Sequence, residues 1–146
     1  MRKPATSVTA AVLVAVLLAA GLLAGSLEIS DMSAGDITLD LSGASRVSGD
    51  ITASGNAEFD LGGASRVELA GSASDMRIVA SGASKLDLED FPVRNVDVSL
   101  NGASQATISL DGRFDADLSG GSKLWYGGEP TMGDIDTSGG STLSKK

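Results

Sequence analysis

Carboxylate and hydroxyl side chains are the groups of this 146-residue chain that could do chemistry, because it contains 19 Asp and Glu but no His and no Cys. Without those two residue types there is no imidazole base, no thiolate nucleophile and no ordinary zinc ligand set. Oxygen chemistry remains: calcium coordination, or glycoside cleavage by paired carboxylates. The net charge of −8 argues against a nucleic-acid partner, whose binding surface would be basic.

Closely spaced aspartates near the C-terminus are the candidate metal ligands. They are Asp115, Asp117, Asp134 and Asp136, with Asp97 one repeat earlier. Oxygen ligands at this density could hold Ca²⁺. The glycine-rich calcium-binding nonapeptide is absent from the sequence, however, and no apolar pocket is evident that would raise the pKa of one carboxylate for catalysis. We therefore expect no cofactor and no catalytic residues, with calcium binding kept as an alternative.

A serine-containing phrase recurs along the chain after residue 26. It reads LSGASRV at 41–47, LGGASRV at 61–67, ASGASKL at 80–86, LNGASQA at 100–106, LSGGSKL at 118–124 and TSGGSTL at 137–143. Successive serines are separated by 20, 19, 20, 18 and 19 residues. A fixed period near 20 residues predicts a stacked repeat fold.

Apolar and polar residues alternate on both sides of each serine, which predicts strands with one buried face. In the first repeat Leu39, Leu41 and Val47 are predicted to point inward. The same rule places Ile135 of the last repeat inside. Each repeat is therefore predicted to contain a strand, a tight corner, a second strand and a less regular third segment.

A glycine and a serine mark each predicted corner. The glycine allows a positive φ without a Cβ clash, and the serine hydroxyl can bond backbone groups where the strand turns. The small residue between them (Ala44 in the first repeat) is predicted to lie on a cramped inside corner. No base accompanies any of these serines, so their role is predicted to be structural. The predicted corner residues are Gly43, Ser45, Gly63, Ser65, Gly82, Ser84, Gly102, Ser104, Gly120, Ser122, Gly139 and Ser141.

Two all-β folds fit a repeat of strand, corner and strand: a parallel β-helix and an antiparallel meander of hairpins. Stacked rungs must match in length, whereas the linkers between hairpins need not. The narrow spread of repeat lengths therefore favours a parallel β-helix, or solenoid, of about six rungs with about 20 residues each. The crossover rule predicts that it is right-handed.

Residues 1–26 are predicted to be a signal peptide or an N-terminal membrane anchor, with the repeat domain spanning 27–146. Arg2 and Lys3 precede an uncharged apolar run at 8–25, which is long enough to cross a bilayer as a helix. The small residues Ala24 and Ser26 also fit a cleavage site. Basic residues stay on the cytoplasmic side, so we expect the repeats to be exported, either anchored at the membrane or secreted.

Charged residues at the predicted outward positions form rows. Ion pairs across an exposed corner contribute under about 1 kcal/mol each, so these rows are predicted to be solvated surface. Trp125 is predicted to point outward beside Lys123, where it could contact a sugar ring or a partner surface. Tyr126 is predicted to point inward. The basic row is Arg46, Arg66, Lys85 and Lys123, and the acidic row is Asp40, Asp60, Asp117 and Asp136.

The phrase SGAS-[RK]-[VL], its period near 20 residues and the closing segments DLSGGSKLWYGGEP and IDTSGGST resemble the putative autotransporter adhesin head family, the GIN domain. The resemblance covers about residues 36–146. It implies an exported surface protein with a β-helical or β-roll solenoid, and it implies no catalytic residues. Family members usually have further rungs before this point. That difference makes the N-terminal edge a candidate for contact with the membrane or a second copy.

The sequence therefore predicts a non-catalytic, exported cell-surface or envelope protein of adhesin type. A polysaccharide- or Ca²⁺-binding module is the alternative, and a glycan-degrading enzyme the third. The expected partners are the membrane through residues 8–25 if the leader is retained, a glycan or surface protein, and a second copy at the N-terminal edge. Nucleic acid is not expected.

Overall fold

The computed structural model describes residues 10–18 and 26–146, and every regular element in these ranges is a β-strand. The strands are β1 Ala10–Leu18, β2 Ser26–Ser42, β3 Arg46–Ala53, β4 Asn56–Leu61, β5 Arg66–Ser72, β6 Asp75–Ala80, β7 Lys85–Val93, β8 Asn95–Leu100, β9 Gln105–Leu110, β10 Arg113–Leu118, β11 Lys123–Gly127, β12 Thr131–Thr137 and β13 Thr142–Lys145. The described ranges hold no helix of the length and apolarity that a membrane crossing requires. The predicted helical leader falls partly on 1–9 and 19–25, outside the described residues, and stays a prediction.

Each rung contributes two strands, and like strands of successive rungs pair in parallel. The strand order is β12-β10-β8-β6-β4-β2-β3-β5-β7-β9-β11-β13, with β1 paired to β2. The first half of the long strand β2 pairs with β3, and its second half pairs with β4 and β1. We call the stack of β4, β6, β8, β10, β12 and the second half of β2 the even face, and the stack of β3, β5, β7, β9, β11 and β13 the odd face.

This pairing confirms the prediction of a parallel β-solenoid of about six turns and excludes the antiparallel meander. Every strand pair is parallel, and the paired residues are one repeat apart, as in Phe59 with Leu39 and Ile78. The chain must complete one rung before it meets its own previous rung, so the paired positions repeat with the sequence period. The predicted right hand stays a prediction.

The core lies between the two faces and is a set of stacked aliphatic rows. Leu41, Leu61, Ala80, Leu100 and Leu118 form one such row, and each side chain is at most 1% exposed. A single rung would leave this surface in water, so rungs stabilise one another by stacking.

The last rung departs from the predicted pattern. Ile135 is 36% exposed and Met132 is 45% exposed, so the prediction that Ile135 is buried was wrong. The register between β10 and β12 shifts between Phe114 and Ala116. In the described residues β12 is also the end strand of its stack, so nothing covers its outer side.

The third segment is irregular in the rung that contains β7. The register between β7 and β9 shifts between Leu88 and Pro92. The residues inserted there include Phe91, which is fully buried and meets Phe59 edge-on at a centroid distance of 6.4 Å. Pro92 is exposed at this point.

Candidate functional site

The corner glycines of all six rungs have a left-handed backbone, which β-branched and most other residues avoid. Their φ angles are 70° at Gly43, 69° at Gly63, 75° at Gly82, 74° at Gly102, 72° at Gly120 and 66° at Gly139. From the second rung onward there is also a second constraint. A Cβ at Gly82, for example, would lie 2.5 Å from the carbonyl oxygen of Gly63 in the rung before.

The hydrogen-bond ladder between rungs continues through these corners. The N–H of Ala83 donates to the carbonyl of Gly63 at 2.8 Å, and Ala64 and Ala103 make the same bond to the corner glycine of the rung before. The carbonyl that receives this bond is the one that a Cβ on the glycine would strike. The ladder therefore requires glycine at this position in each stacked corner.

The alanines of the corner point to solvent, so the prediction that they line a cramped inside corner was wrong. Ala44, Ala64, Ala83 and Ala103 are all exposed. The crowding falls on the glycine, where one rung approaches the next. The inside of the corner is occupied by the serine.

Five corner serines are the buried polar side chains of the described residues, each at most 2% exposed. Each hydroxyl donates to the carbonyl oxygen three residues earlier. The bonds are Ser45 to Ser42 at 2.7 Å, Ser65 to Gly62 at 2.8 Å, Ser84 to Ser81 at 3.0 Å, Ser104 to Asn101 at 3.0 Å and Ser122 to Ser119 at 2.8 Å. This arrangement stabilises the turn and uses the proton that a nucleophilic serine would have to give to a base.

Ser104→Ala is expected to lower the free energy of unfolding by about 1–2 kcal/mol, because it removes the hydroxyl that satisfies the Asn101 carbonyl. Chemical denaturation of the parent protein and of the Ser104→Ala variant measures this loss. Ser141→Ala is the matched control, since Ser141 lies in the last corner and its hydroxyl contacts the Gly120 carbonyl only at 3.4 Å. Equal losses at the two serines would contradict a role that depends on burial.

The candidate calcium ligands separate into two rows on the even face. Asp115 receives two hydrogen bonds from the Arg113 guanidinium, from Nε at 2.8 Å and from Nη2 at 2.9 Å, and a third from the backbone N–H of Asp134 at 2.8 Å. Arg113 Nη2 also lies 3.7 Å from the Asp134 carboxylate. The positively charged Arg113 guanidinium therefore already contacts both Asp115 and Asp134.

Asp117 and Asp136 pair with each other in the next row, and Asp97 pairs with Asp115 in the first. Within residues 10–18 and 26–146 no three acidic side chains converge as metal ligands do. The structure therefore brings Asp115 and Asp134 together around Arg113, and it does not bring the four candidates to one point.

The hydrogen bonds from Arg113, followed by the backbone N–H of Asp134, lower the pKa of Asp115 below its ordinary value of 3.8. A carboxylate whose pKa is lower in the folded state stabilises that state above the unfolded pKa, and this contribution disappears as the pH falls through the folded pKa. We therefore expect Asp115→Asn to be less stable than the parent at pH 7, with a difference that shrinks as the pH falls below 3.8. Thermal melts at pH 7 and at a series of lower pH values check this. A stability difference that stays constant as the pH falls would show that another effect dominates.

A second set of side-chain contacts supports the corners that lead into β4 and β10, and the repeat pattern did not predict it. Asp36 Oδ1 accepts the N–H of Asn56 at 2.8 Å, and Asn95 Oδ1 accepts the N–H of Arg113 at 2.8 Å. Asp75 Oδ1 accepts a bond from the Asn95 side-chain amide at 2.7 Å. The available signal was an Asp or Asn recurring about every 20 residues, which the variation between the two residue types obscured.

A shallow groove of about 330 Å³ runs along these contacts on the even face. Met76 and Val96 lie in the core beneath it. Its polar lining consists of Asn56, Glu58, Asp75, Arg77, Asn95, Asp97 and Asp115. The lining is mostly acidic, and it includes Asp115, the carboxylate that Arg113 contacts.

The odd face presents the predicted basic row and the single tryptophan. Lys123 is exposed, and Trp125 is half-buried beside it with Thr107 and Ser144 as its neighbours across the strands. Tyr126 packs against the core, as predicted, with its ring 5.3 Å from that of Phe114.

Fold and corners together define the class of this protein: a repeat β-solenoid domain whose recurring residues support its backbone and whose outer faces carry charged rows. The chain belongs to the family described as "Putative auto-transporter adhesin, head GIN domain", whose model matches residues 3–130. The predicted resemblance is thereby confirmed, although the match begins earlier than residue 36 and ends before the last rung. Comparison with curated proteins and with solved structures gave no match.

Proposed function

We propose that this protein is a non-catalytic, exported surface protein of adhesin type, in which the solenoid holds charged rows in fixed positions on the cell exterior. The proposal rests on the role of the glycines and serines that recur in every rung. The repeated glycines and serines serve the backbone, so the outward side chains are what the fold presents to a partner. Membership of the adhesin head family supports the same function.

A non-catalytic role is supported by the environment of the carboxylates. A glycosidase needs one carboxyl group whose pKa is raised in an apolar pocket. The hydrogen bonds from Arg113 lower the pKa of Asp115, which is the opposite of that requirement. Asp115 is also held by Arg113, so it is poorly suited to donate a proton to a leaving group.

Export through residues 1–26 is part of the proposal and has its own test. Cell fractionation followed by N-terminal sequencing of the mature protein distinguishes the cases. A first residue near position 27 supports cleavage, and an intact N-terminus in the membrane fraction supports an anchor. An intact chain in the cytosol would contradict export.

Binding of a polysaccharide is the second candidate function, favoured by Trp125 beside Lys123 on the odd face. A glycan array probed with the purified protein and with Trp125→Ala tests it. Sugars retained by the parent and lost by the variant support binding through this surface, whereas released oligosaccharides would overturn the non-catalytic role.

Calcium binding at Asp115, Asp117, Asp134 and Asp136 also stays a proposal. Calorimetric titration at millimolar Ca²⁺, with a thermal melt, tests it. Heat of binding and a gain in melting temperature would support it, and their absence would contradict it. Association with a second copy at the N-terminal edge is tested by sedimentation analysis. A dimer would support it, and a monomer would contradict it.

A further inference from the structure

The basic side chains of the odd face form one straight row parallel to the solenoid axis. Arg46 pairs in register with Arg66, Arg66 with Lys85, and Gln105 occupies the next rung before Lys123. Parallel strands are about 4.8 Å apart, so the four steps between Arg46 and Lys123 span about 19 Å. The row therefore has the length of several units of an extended polymer.

These cations have no acidic partner within the described part of the chain. The ion pairs there involve Arg113, Lys145 and Lys146. Like charges stacked on adjacent strands repel one another, and no ion pair within the described residues relieves this repulsion. An anionic chain lying along the row would relieve it on every rung it touches.

Most of the net negative charge of the described residues lies on a different surface. Ten carboxylates and two guanidinium groups occupy the outward positions of the even face, so that face carries −8 of the −10 to which the described residues sum. The acids are Asp36, Asp40, Glu58, Asp60, Asp75, Asp97, Asp115, Asp117, Asp134 and Asp136, and the bases are Arg77 and Arg113.

At physiological ionic strength charges more than about 8 Å away are largely screened. An anion at the odd face therefore experiences the basic row and its immediate neighbours more strongly than the distant even face. The acidic even face repels the same anion, so an anion is expected to approach the odd face.

The row next to the basic row indicates which kind of anion fits. Glu68 and Asp87 lie beside the middle of the basic row, but Thr107 and Trp125 lie beside its end at Lys123. A hydroxyl and an indole ring are the groups that contact sugar hydroxyls and the apolar face of a sugar ring. A bare polyphosphate has no sugar ring for the indole to contact, so these two groups favour a polysaccharide.

We propose that the row Arg46, Arg66, Lys85, Gln105 and Lys123, together with Trp125, binds an anionic polysaccharide that lies along the solenoid axis. The acidic groups of the polymer contact the cations, and one sugar ring packs on Trp125. This inference rests on the proposed function, since it names the ligand class of the surface protein.

The test measures binding of purified full-length protein to polygalacturonate, which carries carboxylates, and to dextran sulfate, with neutral dextran as the reference. Calorimetry or affinity electrophoresis gives the affinity. Arg46→Glu with Arg66→Glu is expected to weaken binding at least about tenfold. The matched control, Arg77→Glu with Arg94→Glu, makes the same change in net charge away from the row and is expected to stay within about twofold of the parent.

Equal losses in the two double variants would show that net charge governs binding and would overturn the row. Binding to neutral dextran with the same affinity would overturn the requirement for an anion. Trp125→Ala is expected to weaken polygalacturonate binding severalfold, and no change would remove Trp125 from the site. Thermal melts of each variant verify that the solenoid is intact.

The inference and the proposed function fail separately. If the parent protein binds neither anionic polymer, the row proposal is wrong, while fractionation still decides whether the protein is exported. If the protein is found in the cytosol but binds through the row, the surface role is wrong and the binding site stands.

Discussion

Gly120→Ala is expected to lower the free energy of unfolding by about 3 kcal/mol, from a left-handed backbone that costs about 1–2 kcal/mol for other residues and from overpacking. Gly120 has a φ of 72°, and a Cβ there would lie 2.5 Å from the carbonyl oxygen of Gly102. The obstacle is backbone rather than a flexible side chain. Relief would require the two rungs to separate, which weakens the hydrogen bond from Gly121 N–H to the Gly102 carbonyl. Urea denaturation monitored by circular dichroism measures the loss.

Gly121→Ala is the matched control from the same corner. A Cβ at Gly121 would meet nothing within 4 Å, and four of the six rungs carry alanine at the equivalent position. We expect its stability to stay within about 0.5 kcal/mol of the parent. Comparable losses at both glycines would mean that chain flexibility, rather than the contact between rungs, explains the recurrence of glycine.

Phe59→Ala is expected to cost about 3–5 kcal/mol, the usual range when a buried aromatic ring is removed. Phe59 is fully buried, stacks between Leu39 and Ile78 of the adjacent rungs and meets Phe91 of the third segment. The cavity would therefore affect three rungs. Because each rung is stabilised chiefly by its neighbours, we expect the unfolding transition to broaden as well.

Val79→Ala tests whether burial causes that effect. Val79 lies on β6 next to Ile78 but points outward and is only partly buried. Its truncation is expected to cost less than about 1 kcal/mol. A loss similar to that of Phe59→Ala would contradict the assignment of the two faces of β6.

The predictions for Gly120 and Phe59 concern the stability of the solenoid. They can be tested independently of the proposal that the odd face binds a ligand. Arg46 and Arg66 point outward on the odd face, whereas Gly120 and Phe59 hold rungs together. A variant with an unchanged melting temperature that no longer binds the polysaccharide therefore identifies its residue as part of the binding surface. A variant that loses both stability and binding reports only on the fold.

Repeat length and alternation in the sequence were sufficient to predict most of the architecture. A period near 20 residues and apolar positions such as Leu41 and Leu61 determine which residues stack, because a parallel solenoid pairs each residue with its equivalent one rung later. The same reasoning placed Arg46 and Arg66 in one outward row. The left-handed corner at Gly43 followed from residue type.

Tertiary structure decided the features that depend on contact between rungs or on irregular segments. The crowding at Gly63, the outward direction of Ala64 and the exposure of Ile135 were not predictable from one repeat. The burial of Phe91 depends on an insertion that shifts the register. The contact of Arg113 with Asp134 crosses another register shift, between β10 and β12. Periodicity assigns residues to rows, but distances between rows arise only when whole rungs pack against each other.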